Sequence, residues 1–227
     1  MNNPREILII PLKGMDDLIR IKEDKCTMCY ACVRVCPVKA IEVKTNQNFV
    51  KILPKRCIGC GSCLSVCPEN AIYIRDSREE TKALLQQEGI KVAIVAPSIS
   101  GEFDDITDYR KFVKMIKTLG FDKVNEASFG CDLVARKYAD LLNDFKGKYY
   151  ITAHCPPIVS LVEKFYPELI GNLVPVITPM AATAQVVRQM YGQNCKIVYI
   201  CPCVAAKDEI EHYKGTTKQI EIGRAHV

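Results

Sequence analysis

From residue 90 onward, short apolar runs alternate with amphipathic stretches. The runs cover 91–96, 123–127, 149–152, 174–178 and 196–201, and they read as buried strands. Between the first two, Tyr109, Phe112, Val113, Ile116 and Leu119 recur at helical period, and Gly120 follows as a stop, with Thr107 or Asp105 as the cap. A second helix carries Val134, Tyr138, Leu141 and Leu142 on one face. A third opens at Pro156 or Pro157 and ends before Pro167, and a fourth opens at Pro179 after Thr178 and stops near Gly192. Strand and helix in alternation predict an α/β domain with a largely parallel sheet. Ahead of it, 76–89 is charged and helical in composition and suits a linker. The first residues carry an apolar run at 7–11 and an amphipathic piece at 15–21, to which no chemistry is assigned.

Composition narrows the class. With 48% hydrophobic and 25% charged residues, and neither an 18-residue apolar run nor a signal-peptide pattern, the chain is expected to be soluble, without membrane insertion. Thirteen cysteines without a secretory signal point to a reducing cytoplasm, an anaerobic source and metal ligation rather than cross-linking. The net charge of +5 comes from scattered basic residues with no stripe suited to nucleic acid.

Eight of those cysteines lie in two copies of C-x2-C-x2-C-x3-C-P: Cys26, Cys29, Cys32, Cys36 and Pro37, then Cys57, Cys60, Cys63, Cys67 and Pro68. The copies continue as VCPVKAIEVK and VCPENAIYIR, a repeat of 31 residues in which each half reads as turn, short helix and strand. The spacing is that of bacterial two-cluster ferredoxins, whose fourth cysteine serves the other cluster. Two [4Fe-4S] clusters are therefore expected, one on Cys26, Cys29, Cys32 and Cys67 and the other on Cys57, Cys60, Cys63 and Cys36. The prolines turn the chain after each long-range ligand, and Gly59 and Gly61 let backbone approach the second cluster. Structural zinc also uses C-x2-C pairs, but it needs only four ligands and no duplicated x3-C-P tail.

Two further cysteine motifs follow predicted strands, where α/β folds place ligands: TAHCPPI at 152–158 and CPCVAAKDE at 201–209. Behind a two-cluster module, and together with VAPSIS and LGFDKVNEASFGCDL, they resemble the [FeFe]-hydrogenase large subunit over nearly the whole chain. The resemblance implies an H-cluster, a [4Fe-4S] cubane joined through cysteine to a diiron unit, at which protons and H2 interconvert. Active members read TSCCPxW, so Cys155 matches a ligand, His154 replaces the proton-relaying thiol and Ile158 stands at the tryptophan. They also read MPCxxKxxE, so Cys203 matches a second ligand and Glu209 the acidic residue, while Cys201 and Ala206 stand at the methionine and lysine. Lys207, one place later, is expected as a surface ammonium. His154 is read either as a proton relay near neutral pH or as a structural, hydrogen-bonded ring. These replacements resemble the divergent, sensory branch of the family. Core or inert roles are expected for Cys131 and Cys195.

The third motif, with the remaining two cubane ligands, does not occur by Val227, and IGRAHV at 222–227 matches a translated sequencing adapter. A fragment is thus expected, inactive as it stands, with an H-cluster only in a full-length protein. The expected organisation is an extension at 1–23, an α+β bacterial ferredoxin-like module at 24–76, a linker at 77–89, a partial Fe-only hydrogenase α/β domain at 90–221 and adapter read-through at 222–227. The expected partners are a ferredoxin or similar electron donor or acceptor, and H2 and protons. The alternative is an electron-transfer or iron-sulfur carrier or assembly protein without hydrogenase activity.

Overall fold

The computed structural model describes residues 18–103, 107–143, 149–213 and 220–221. Residues 1–17 and 222–227, and with them most of the N-terminal extension and the adapter-like segment, lie outside the described residues, as does Asp105. The chain divides into two compact units.

The first unit comprises the described residues of Met1–Arg75, with Cys155–Leu173 and Val204–His212. Its frame is a repeat of strand, cysteine loop, short helix and strand. The first copy runs β1 (Ile19–Ile21), α1 (Ala31–Val35) and β2 (Ile41–Val43), and the second β3 (Val50–Ile52), α2 (Ser62–Ser65) and β4 (Ile72–Ile74). Strands pair across copies, not within them. β1 lies antiparallel to β4 with Ile19 opposite Ile74, and β2 antiparallel to β3 with Val43 opposite Val50. The flanking bonds repeat as well: Lys22 N–H donates to Ala71 O and Leu53 N–H to Ala40 O, both at 2.8 Å. Neither copy can complete its sheets alone. Ile19, Ile41, Val50 and Ile72 meet in one small core. So small a core suits a module braced by metal.

Two further helices belong to this unit. α6 (Pro156–Phe165) opens on two prolines, as their fixed φ favours. Its Leu161 and Phe165 pack on Val38, Ala40 and Ile58. α8 (Ala206–Tyr213) follows Val204, which joins the strand core.

The second unit comprises Asp76–His154, Val174–Cys203 and the described residues of Tyr213–Val227. β5 (Lys91–Val95), β6 (Lys123–Glu126), β7 (Lys196–Ile200) and β8 (Ile220–Glu221) form a parallel sheet in the order β6-β5-β7-β8. Its central strands are buried, with Val92, Ala93, Ile94, Ile197 and Val198 at 0% exposure, as parallel strands covered on both faces require. Ala93, Val95, Val198 and Ile200 pack with Leu84 of α3 (Arg78–Leu85) and Ile116 of α4 (Tyr109–Thr118). The charged segment read as a linker is thus a packed helix. α5 (Ser128–Asn143) and α7 (Pro179–Tyr191) lie against each other. A Cβ on Gly130 would stand 2.2 Å from Pro179 O, so this crossing requires glycine.

Several expectations need correction. The runs at 149–152 and 174–178 do not join the sheet; Val174 N–H donates to Ile151 O at 2.9 Å and no ladder follows. Pro175 removes a donor in the middle of one run, and Tyr149 in the other is 86% exposed. TAHCPPI therefore follows an extended segment, not a sheet strand. The cap of α4 is Asp108, whose carboxylate accepts from Arg110 N–H at 2.9 Å, rather than Thr107. Tyr109 and Leu119, at the helix ends, are exposed, while Ile116 is buried in the core and Phe112 packs against it. Leu142 is also exposed. Among the described residues, no helix is long and apolar enough to cross a membrane.

Candidate metal centres

Two small cavities lie in the repeat. One is lined by Cys26, Cys29, Cys32 and Cys67. The other is lined by Cys36, Cys57, Cys60 and Cys63. Each takes three thiols from one loop and one from the opposite copy. Among the described residues, no three His, Cys, Asp or Glu side chains close in tightly enough to hold a single ion. Four thiols spread around a cavity suit a cubane, which offers four irons at separate corners.

The loops explain how short sequences surround such a body. Left-handed backbone occurs at Met28 (φ 56°), Tyr30 (φ 58°) and Lys39 (φ 52°), and again 31 residues on at Gly59 (φ 68°), Gly61 (φ 80°) and Asn70 (φ 48°). Alternating left- and right-handed residues turn successive N–H groups to one side and make an anion-binding concavity. The long-range cysteines receive equivalent donors: Ala40 N–H reaches Cys36 Sγ at 3.2 Å and Ala71 N–H reaches Cys67 Sγ at 3.3 Å. Such bonds favour thiolate and tune any bound cluster.

Burial opposes the thiolate state in the metal-free chain. Cys63 is pushed up from its ordinary 9.0 to about 12, chiefly by desolvation, then by the neighbouring Cys57 and Cys60. Burial also raises Cys57 and Cys32, with Lys164 pulling Cys57 the other way. These thiols stay protonated at neutral pH until a metal displaces the proton.

The remaining candidates are less gathered. Cys155 is half-buried at the start of α6, where its carbonyl accepts from Ile158 N–H at 2.9 Å, while its preceding neighbour His154 is exposed. Cys203 is exposed just past β7, and buried Cys201 directs its Sγ to Cys203 O at 3.6 Å. Cys155 and Cys203 fall in different compact units. Glu209 is half-buried on α8. Lys207 corrects the expectation of a surface ammonium: it is 4% exposed and its Nζ donates to Arg75 O at 2.5 Å. A charge can be buried where a carbonyl satisfies it. Cys195 is buried, whereas Cys131 is exposed on α5, which removes the core alternative of the core or inert roles expected of it.

Two features escape the sequence reading. β1 falls inside the expected extension, although IRI at 19–21 aligns with VKI at 50–52 one repeat on. Lys164, whose ammonium donates to Cys57 O, has no signal in spacing or periodicity.

Two family models match successive stretches of the chain. The family model described as "Iron only hydrogenase large subunit, C-terminal domain" matches residues 90–222. That described as "4Fe-4S dicluster domain" matches residues 18–81, β1 included. Iron hydrogenase 1 of Clostridium pasteurianum is 25% identical over 147 residues, covering 57% of this chain and 26% of the relative. The chain thus spans about a quarter of that relative's length.

Proposed function

Because the chain belongs to the iron-only hydrogenase large-subunit family, we propose that it relays electrons through two [4Fe-4S] clusters to an H-cluster-type site that interconverts protons and H2 or reports on H2 and redox state. It is an iron-sulfur redox protein of that family. The observation that carries the relay reading is the pair of four-thiol cavities, each completed by a cysteine from the opposite copy.

In this reading Cys26, Cys29, Cys32 and Cys67 hold one cluster, and Cys57, Cys60, Cys63 and Cys36 the other. The thiol donor set and the inward N–H groups fit [4Fe-4S]. The clusters supply one-electron chemistry when bound. The protein's part is to keep eight thiolates in place, donate hydrogen bonds to Cys36 and Cys67, and present the pair to a ferredoxin-like donor or acceptor. Cys155 and Cys203 are two of the four thiolates the family uses for the H-cluster cubane. His154 takes the place of the proton relay, and its exposure lets it exchange protons with water. Glu209 is the matching carboxylate.

A sensing role is favoured over rapid H2 production by one further observation. Ala206 stands where the family has a lysine that hydrogen-bonds a diiron cyanide, and the neighbouring Lys207 has its ammonium on Arg75 O. Expression from the full-length gene with the diiron maturation machinery, followed by infrared spectroscopy and H2 assay, tests the proposal. Carbonyl and cyanide bands with slow turnover support sensing, and rapid turnover supports catalysis. Absence of the bands in a cluster-loaded protein overturns the H-cluster reading and leaves an electron carrier.

A further inference from the structure

The two cluster cavities are related by a repeat, so each position lining one has a counterpart 31 residues away at the other. The ligands and the backbone N–H bonds to Cys36 and Cys67 match across this relation, while Cys60 Sγ also meets Ser62 Oγ at 3.4 Å where the first loop has Ala31. The charges do not match.

At the second cavity, the one lined by Cys57, Arg56 is fixed through three hydrogen bonds from two donors: Nε shared between Val38 O and Lys39 O, both at 3.2 Å, and Nη2 to Val38 O at 2.9 Å. Its guanidinium also lies 5.2 Å from the centre of the Phe165 ring. Lys164, from the same helix as Phe165, donates to Pro54 O at 3.0 Å and to Cys57 O at 2.6 Å. A carbonyl of the ligand loop therefore holds this ammonium. Val38, an apolar residue, completes this wall.

At the first cavity the counterpart of Arg56 is Lys25, an exposed side chain, and the counterpart of Val38 is Glu69, a carboxylate. Residue 164 lies outside the repeat and has no counterpart. The second cavity thus has two cations held by carbonyls beside it, half-buried Lys164 and exposed Arg56, whereas the first has exposed Lys25 and the Glu69 carboxylate in its wall.

Reducing a cubane adds negative charge, and local charge is among the determinants of cluster potential. We infer that Lys164, together with Arg56, makes the Cys36/Cys57/Cys60/Cys63 cluster the higher-potential member of the pair, so that the first electron to enter the module rests there. Lys164 is a positioning and electrostatic residue; it touches the ligand loop and not the reacting atoms. This inference rests on the reading of the two cavities as cubane sites, which iron and sulfide analysis tests on its own: about eight irons per chain.

The test is an EPR-monitored redox titration of the reconstituted chain with the variants Lys164→Gln, Lys164→Arg and Glu69→Gln. Two potentials are expected. Lys164→Gln should lower only the higher one and shrink the equilibrium constant for electron sharing about tenfold, ~59 mV for one electron. Lys164→Arg should restore it, and Glu69→Gln should raise only the lower potential. A merely structural Lys164 would change iron loading and leave the potentials in place. Equal potentials in the parent protein, or a shift of the lower potential in Lys164→Gln, would overturn the inference. If Lys164→Gln fails to load iron, Glu69→Gln decides: movement of the lower potential supports the asymmetry, and movement of the higher one, or of neither, defeats it.

Discussion

The first and second cysteine loops adopt one backbone path with different residues. Where the path turns left-handed, the second loop has Gly59 and Gly61, and the first has Met28 and Tyr30 at φ 56° and 58°. A non-glycine residue in that region costs roughly 1–2 kcal/mol, so the first loop stores strain that the second does not. The second loop uses its freedom for close packing, since a Cβ on Gly61 would stand 3.1 Å from Val204 Cγ2. The same geometry is therefore a relaxed, tightly covered wall in one copy and a strained, open one in the other, where Tyr30 is 42% exposed. A fold repeat does not guarantee equal local stability.

The largest effect expected on this comparison comes from Gly61→Ala, which adds left-handed strain and a crowded contact with Val204. A loss of about 2–3 kcal/mol is expected in denaturant titration of the loaded chain. If the second loop is no more tightly covered than the first, the loss will stop at the roughly 1–2 kcal/mol of left-handed strain. Next comes pH. In the metal-free chain Cys63 binds its proton more tightly than an ordinary thiol does, up to about 12. Folding is therefore favoured by protonation there, and this stability is lost as pH rises from about 9 towards about 12. Thermal melts of metal-free protein across that range should fall more steeply than those of Cys63→Ala, and parallel curves would refute the burial of that thiol. The smallest effect is relief of strain: Tyr30→Gly should stabilise by about 0.5–1 kcal/mol, because glycine removes the left-handed penalty but loosens the unfolded chain. A net loss would mean that the Tyr30 ring packs more than its exposure indicates.

How much was legible follows from which residues announce themselves. The eight ligands were legible because cysteine spacing is set by the cluster and little else. Lys91–Val95 and Lys196–Ile200 were legible because buried parallel strands are continuously apolar. The runs at 149–152 and 174–178 are apolar too, but local pattern does not reveal whether a run finds a ladder partner, and Pro175 was the available warning. β1 is three residues long, too short for periodicity, and only its alignment one repeat on could have exposed it. Lys207, Lys164 and Arg56 owe their roles to carbonyls that tertiary folding brings near them. Arg75 O lies 132 residues from Lys207, and Cys57 O lies 107 residues from Lys164. Sequence spacing carries no trace of such pairs.

Crossed ligation is the claim on which the electron-relay account depends, and single-ligand exchange tests it most directly. Cys36→Ser, Cys60→Ser and Cys29→Ser would be reconstituted anaerobically and compared by EPR at matched potentials. The account predicts that Cys36→Ser perturbs the same cluster signal as Cys60→Ser and leaves intact the one altered in Cys29→Ser. If Cys36→Ser instead reproduces Cys29→Ser, each copy holds its own cluster and the account is wrong.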